Sequence, residues 1–512
     1  MLLIFVICNV VEGPTYISLA NSSGISAHKI DNLFELTDSE RAFIAKTYDL
    51  LITGDWNNVF FPELHAVNPD LAIYLYRSIS NINEGYESEI KVARANGWIL
   101  LDADGNEVYR PGNPNLKFID IGNPAYREWV SNILVEWTAN KHVTGIFGDN
   151  TAVTWKGHTS APPINPRTKL VYSDEDYAAD MAALVRRVKE KTGKLYIGNG
   201  KGMVCGSHYA GYYMNKQLSD MIINEVDGVL LEGFIRFYDT VDWRSADEWL
   251  EDLSFLDMLN RRGITTLSWA ITYGQLPPGS TREDIATYGY TTYLLAKREG
   301  AYFIPRGYEN AFLSVMNIDV GEPVTSYRSI DGGLIYERLF SKSLVLVNPS
   351  YEAYTYNLNG DYTTLEGEVV SKIELPPHTG VILIGAPKPN DDPAPISTSS
   401  SLAVKWIRVR GPDGYEDIDP GGTVTRGSMV RIKTGVGDDT VASDLTVTIG
   451  YRPKGGSWTT ATPTDHVGGF WYYDWYIPMN AVLGLYDVRI TVSGPDGGYS
   501  EKTETGEFKV VA

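Results

Sequence analysis

Two short segments of this chain end in carboxylates placed as paired acids would be. GIFGDN carries Asp149 at its end, and DGVLLEGF carries Glu232. Each is an apolar run that reads as a buried strand, with the acid where the strand leaves the core. In a chain that alternates strands and helices, two such segments present paired carboxylates at the strand ends of a barrel. That arrangement suits cleavage of a glycosidic bond, in which one acid protonates the leaving oxygen and the other attacks or activates water. Taken singly, each acid has a plainer reading: Asp149 as a loop cap, Glu232 as the ion-pair partner of an arginine such as Arg236. The two together, in this context, favour catalysis.

Other polar and aromatic residues cluster at the same ends. His28, Lys29 and Asp31 close the first strand, and Asp55 and Trp56 follow the second. Tyr76 and Arg77 end the third, Asn150 follows Asp149, Asn199 and Lys201 follow the fifth, Arg236 the sixth, and Trp269 and Tyr273 the seventh. Such groups can bind sugar hydroxyls, and Trp269 can stack on a ring. Each also has a structural reading: Arg77 as an ion-pair partner, His28 as a satisfied buried histidine, Trp269 as core. The seventh strand ends SWAITYG and the eighth FIPRGYE, without a comparable acid, which argues against a glutamate pair after the fourth and seventh strands. Asp120, in IDIGNP, reads as a turn-fixing residue.

The elements that must position these residues are legible as alternating periods. Apolar runs at 25–30, 49–53, 71–76, 144–149, 194–199, 227–233, 265–270 and 301–305 predict eight strands. Helices lie between them. TDSERAFIAKTY opens with Thr37 and Glu40 at capping-box spacing, and SDEDYAADMAALVRRVKEKTG opens with Ser173 and Asp176 and stops at Gly193. Eight strands without a nucleotide-binding fingerprint favour a closed (β/α)8 TIM barrel over an open doubly wound sheet. The insert at 77–143 carries the turn RPGNPN and a helix feeding the fourth strand. After residue 325 the helical period vanishes. The predicted organisation is an N-terminal segment at 1–24, an α/β barrel at 25–325, a β-sandwich at 326–386, a Pro/Asp/Ser linker at 387–401 and an immunoglobulin-like β-sandwich at 402–512. In FWYYDWY (470–476) both faces are aromatic, so one face is core and the other is a domain contact or a sugar platform.

GIFGDN preceded by IDIGNPAYREWV, with KSLVLVNPS and LEGEVVSKIELPPHTGVILIG further on, resembles the glycoside hydrolase-like barrels related to the endo-α-1,4-polygalactosaminidases and the sandwich that follows many of them. The resemblance spans about residues 25–386. It implies Asp149 as nucleophile, Glu232 as general acid/base, a carbohydrate substrate and a retaining outcome. Gly148 stands where that group usually has an aliphatic residue, a change expected to leave room for a bulky sugar.

Bulk properties set the outer bounds. The 512 residues, 43% of them hydrophobic, suffice for two or three domains. A net charge of -20 repels phosphate backbones, so no nucleic-acid partner is expected. The 33 tyrosines and 12 tryptophans suit sugar stacking but equally fill cores. Cys8 and Cys205 do not make a disulfide framework, and the seven histidines show no metal-ligand spacing, so neither metal nor cofactor is expected. MLLIFVIC and the following small residues read as a secretory signal lacking a basic start, or as a buried first strand. No other stretch is apolar enough to span a bilayer. The expectation is a secreted glycoside hydrolase. The alternative is a non-catalytic carbohydrate-binding or cell-surface structural protein on the same barrel.

Overall fold

The computed structural model describes residues 35–200, 216–236, 241–330, 335–385, 404–411, 420–436, 445–467, 470–494 and 499–512, together with the backbone of Ile30 and Asp31. The readings placed on segment 1–24, His28, Lys29, the Asp31 side chain, Lys201, the two cysteines and the linker at 387–401 lie outside the described residues. The chain divides into two compact units, Met1–Gly321 and Glu322–Ala512.

The first unit is the (β/α)8 barrel. Its strands are Ile30–Asp31, Leu50–Thr53, Ala72–Ser78, Gly145–Asp149, Leu195–Asn199, Gly228–Glu232, Thr265–Ile271 and Ala301–Arg306, joined in chain order and parallel throughout. Leu50–Thr53 and Ala301–Arg306 are buried along their whole length, as strands covered on both faces require. Register places the ends level with one another. Asp149 pairs with Ser78 on one side and Asn199 on the other, and Glu232 pairs with Trp269.

The helices form where their caps lie. Thr37 and Glu40 make the predicted capping box ahead of Asp38–Thr47. Ser173 caps Asp174–Thr192, which stops at Gly193 in the left-handed conformation (φ 63°) that glycine adopts without strain. Ser245 with Glu248 and Thr281 with Asp284 cap Ala246–Arg261 and Arg282–Ala296. The insert between the third and fourth strands is more structured than its turn signals suggested. It holds the helix Glu87–Ala95, the predicted helix Pro124–Trp137 and a three-stranded sheet of Asn81–Asn83, Asn113–Phe118 and Tyr109–Arg110. Asp120 fixes the turn before the second of these helices, its carboxylate accepting from the Gly122 N–H at 3.1 Å.

The second unit is all β. Strands Arg328–Ile330, Ile335–Leu339, Ser343–Asn348, Thr379–Ile384, Tyr354–Thr363 and Val369–Leu375 pair in that order, and one residue pair, Thr363 with Ile384, joins the first four to the last two. Ile335, Leu346, Leu375 and Leu383 anchor their core. From Val404 onward a four-stranded and a five-stranded sheet enclose a separate core built on Ile432, Ile449, Val488, Ile490 and Phe508. Trp471, Tyr473 and Trp475 face that core. On the other face Tyr472 is also buried, and Tyr476, at 65% exposure, is the aromatic of Trp471–Tyr476 that lies open. The described residues of this strand therefore offer no aromatic platform.

Candidate functional site

Asp149 sits at the end of the fourth strand among four hydrogen-bond donors. Tyr76, inward-facing on the third strand, donates its hydroxyl to Oδ2 at 2.5 Å. Asn150 donates its backbone N–H to Oδ1 at 2.9 Å and its amide to Oδ2 at 3.1 Å. Asn199 donates its amide to Oδ1 at 3.1 Å. Asn150 can make both contacts because it adopts φ 58°, a left-handed conformation that asparagine tolerates better than most residues. Ser78 accepts from the Asn150 amide and Ser80 donates to its carbonyl, each at 3.0 Å. Burial pushes the Asp149 carboxyl up, while Tyr76, the Asn150 N–H, Arg110 and Asn199 pull it back, leaving it above the ordinary carboxylate value. Burial and the neighbouring Asp149 push the Tyr76 hydroxyl well up, which keeps it a donor.

Glu232 ends the sixth strand. The same Asn199 amide reaches its Oε2 at 3.3 Å. The two oxygens sharing that nitrogen are therefore no further apart than the two contacts laid end to end, about 6.4 Å. The carboxyl group of Glu232 is 22% exposed, and Arg306, at the end of the eighth strand, stands 3.9 Å away. Arg306 is stacked on Trp269 at 4.3 Å and on Tyr273 at 5.2 Å. At that distance the cation compensates the charge of the acid.

Both acids line one cavity. Tyr76, Asn150, Asn199 and Trp269 line it with them, joined by Ser80, Arg110, Phe118, Phe147, Thr154, His158, Tyr177 and Leu230. The other expected binding residues lie elsewhere. Arg77 follows Tyr76 and so points to the opposite face of its strand. It forms a double hydrogen bond with Glu89, at 3.0 and 2.5 Å, and lies over Trp137. Asp55 begins the short helix Asp55–Phe60, where its carboxyl senses the Arg77–Glu89 pair, and neither it nor Trp56 lines the cavity. Arg236 is fully buried and donates to the carbonyls of Ile271, Tyr273 and Gln275, so it ties the sixth-strand loop to the seventh rather than reaching the cavity. Tyr273 serves as a face for Arg306. Trp269 is only 2% exposed and one face carries Arg306, so little of its ring is open for a ligand to stack on.

The space expected beside Gly148 is already filled. A Cβ there would collide with the Tyr196 ring and hydroxyl. That hydroxyl lies 2.9 Å from Thr151 Oγ1, which in turn donates to the Gly148 carbonyl at 2.7 Å. Gly148 thus admits a tyrosine from the fifth strand, not a larger sugar.

The model of the hypothetical glycosyl hydrolase family 15 matches residues 65–344, more than half of the 512-residue chain. The chain belongs to this family. The match runs from the helix before the third strand through the end of the barrel and into the first strands of the second unit, and so contains Tyr76, Asp149, Asn199, Glu232 and Arg306. Among solved structures the chain is similar to the glycoside hydrolase domain of PelA from Pseudomonas aeruginosa, at 13% identity over 51% of this chain and 87% of that one (TM-score 0.33). It is also similar to an alpha-amylase from Lactobacillus plantarum, at 12% identity over 71% and 99% (TM-score 0.42). No curated protein matches the chain.

Within this family 15 barrel, the sequence-predicted Tyr76, Asp149, Asn150, Asn199, Glu232 and Trp269 come together at one cavity, while its remaining walls were not anticipated. Arg110 and Phe118 come from the insert, and Thr154 and His158 from the loop after the fourth strand. Arg110 opens the segment RPGNPN, whose residues signal a turn and nothing of the site. Arg306 was visible in FIPRGYE as a charge at a strand end, but that end was read for acids alone.

Proposed function

We propose that this chain is a retaining glycoside hydrolase in which Asp149 is the nucleophile and Glu232 the general acid/base. The observation that carries the reading is the single Asn199 amide touching both carboxylates. Asp149 Oδ1 and Glu232 Oε2 therefore stand within about 6.4 Å of each other, which supports the close pair of a retaining enzyme (~5–5.5 Å between carboxyl groups) over the wider ~6.5–9.5 Å pair of an inverting one. Glu232 gives its proton to the leaving oxygen as Asp149 forms a bond to the anomeric carbon and the glycosidic bond breaks. Water then attacks that carbon, Glu232 takes its proton, and the bond to Asp149 breaks. The four donors around Asp149 suit an acceptor-only carboxylate held in one plane, the state a nucleophile needs.

The test is a panel of polysaccharides and aryl glycosides offered to the full chain, with product anomers followed by NMR. Turnover with retention, lost in Asp149→Asn and Glu232→Gln, is the expected result. Turnover surviving both substitutions would reject the site. The N-terminal segment belongs to the same proposal as an export signal, and N-terminal sequencing of the mature protein checks it.

A further inference from the structure

The cavity carries charge of both signs, and the two signs come from different parts of the fold. The acids Asp149 and Glu232 stand on barrel strand ends. Arg110 stands on the overhanging strand Tyr109–Arg110 of the insert. That strand is pinned to the loop carrying His158: the Ser160 N–H donates to the Tyr109 carbonyl at 2.7 Å, and the Tyr109 N–H donates to Ser160 Oγ at 3.2 Å. The arginine is therefore mounted on a fixed wall of the cavity.

The Arg110 guanidinium is exposed and makes no ion pair or hydrogen bond with any described residue. It is nevertheless close enough for its charge to pull down both the Asp149 carboxyl and the Tyr76 hydroxyl. Asp149 already takes hydrogen bonds from Tyr76, Asn150 and Asn199, so Arg110 is not needed to hold it. The guanidinium-bearing residue and the carboxylate line the same cavity. We propose that Arg110 binds an anionic substituent, a carboxylate or a sulfate, on the sugar that occupies this cavity. The ligand's being a sugar rests on the hydrolase reading.

The physical grounds are complementarity and orientation. A guanidinium presents a planar fork of donors that matches carboxylate and sulfate oxygens. An anionic group placed near Asp149 and Glu232 would be repelled, so attraction at Arg110 and repulsion at the acids together fix which edge of the ring faces the acids. A cationic amino sugar would meet the reverse, a repulsion at Arg110. The chain as a whole, at -20, repels anions at long range, so recognition of one must come from a local cation such as this.

The experiment is equilibrium binding by calorimetry to the full chain, using three sets of trisaccharides with matched stereochemistry: neutral, uronic-acid and 6-sulfated. One of the anionic sets is expected to bind at least about tenfold more tightly than its neutral counterpart, and which set does so identifies the anion. Arg110→Gln is expected to bring that ratio near one, and Arg110→Lys to restore part of it. Neutral sugars binding as tightly, a ratio unmoved in Arg110→Gln, or no binding in any set would each overturn the proposal. Turnover of the same panel is read separately. A preference that follows Arg110 without any hydrolysis counts against the enzymatic reading alone, and hydrolysis without the preference counts against Arg110 alone.

Discussion

Asn199 is the residue on which the site's geometry turns. Its amide is the shared donor between two acids that would otherwise repel each other, and the residue is buried. Asn199→Asp keeps the shape, removes the donors and adds a like charge. Both effects favour protonated acids, so the acid limb of the pH–rate profile is expected to move to higher pH, with kcat falling by about 10²-fold. A fall in rate with unmoved limbs would make Asn199 merely structural. Tyr76→Phe is expected to act in the same direction but less strongly. It removes a 2.5 Å donor that opposes the burial of Asp149, so the carboxyl rises further and the acid limb shifts up. Activity across pH 4–8 at saturating substrate, on the order of one unit of resolution, checks both. These neighbours were readable as strand-end polar residues. Their roles were not, because strand alternation separates Tyr76 from Arg77 only once the register is known.

At the scale of elements, the barrel strands depend on close contacts that tolerate little change. Gly148→Ala on the fourth strand forces a methyl group into Tyr196 of the fifth, and a loss of about 1–3 kcal/mol is expected from thermal or urea unfolding. Adding Tyr196→Ala should recover less than the full loss, since it leaves a cavity, but should abolish the clash term in a double-mutant cycle. A second contact joins the helix Phe61–Val67 to the segment before the fourth strand. His65 Nδ1 and His142 Nδ1 lie 2.7 Å apart, and His65 Nε2 lies 2.8 Å from the Leu71 carbonyl. With Nε2 donating to the Leu71 carbonyl, the neutral His65 accepts at Nδ1 from His142, and burial favours that neutral form by holding its pKa below the ordinary histidine value. A histidine with a lowered folded pKa contributes stability above its unfolded pKa of about 6.5, and that contribution is lost as pH falls toward the folded value. The Tm of the full chain should therefore fall more steeply than that of His65→Gln as the pH drops below about 6.5. Equal slopes would contradict the pair. Strands, caps and the Pro124–Trp137 helix were legible in the sequence because each has a local period or cap. The Gly148–Tyr196 contact, the histidine pair and the Arg110 overhang were not, because each joins segments that are distant in the chain.

For the whole molecule, the cavity is built entirely from residues of the first unit, between Tyr76 and Trp269, while the last sandwich has its own core from Val404 to Val510. Removal of residues 387–512 is expected to leave kcat/KM on small substrates within about threefold, because no residue described at the cavity is lost. Since Trp471, Tyr472 and Trp475 are buried and Tyr473 is half-buried against the core, leaving Tyr476 as the exposed aromatic of Trp471–Tyr476, pull-down on insoluble glycans should also be unchanged. A clear loss of pull-down would return the sugar-platform reading to that domain. The central claim is that Asp149 becomes bonded to the sugar while Glu232 exchanges the proton. It is tested most directly by treating the full chain with 2-deoxy-2-fluoro glycosides matched to a substrate it turns over, then mapping the adduct by peptide mass spectrometry. The account requires one glycosyl adduct on the peptide carrying Asp149, absent in Asp149→Asn. An adduct on Glu232, or turnover that gives an inverted first product with no adduct, would contradict it.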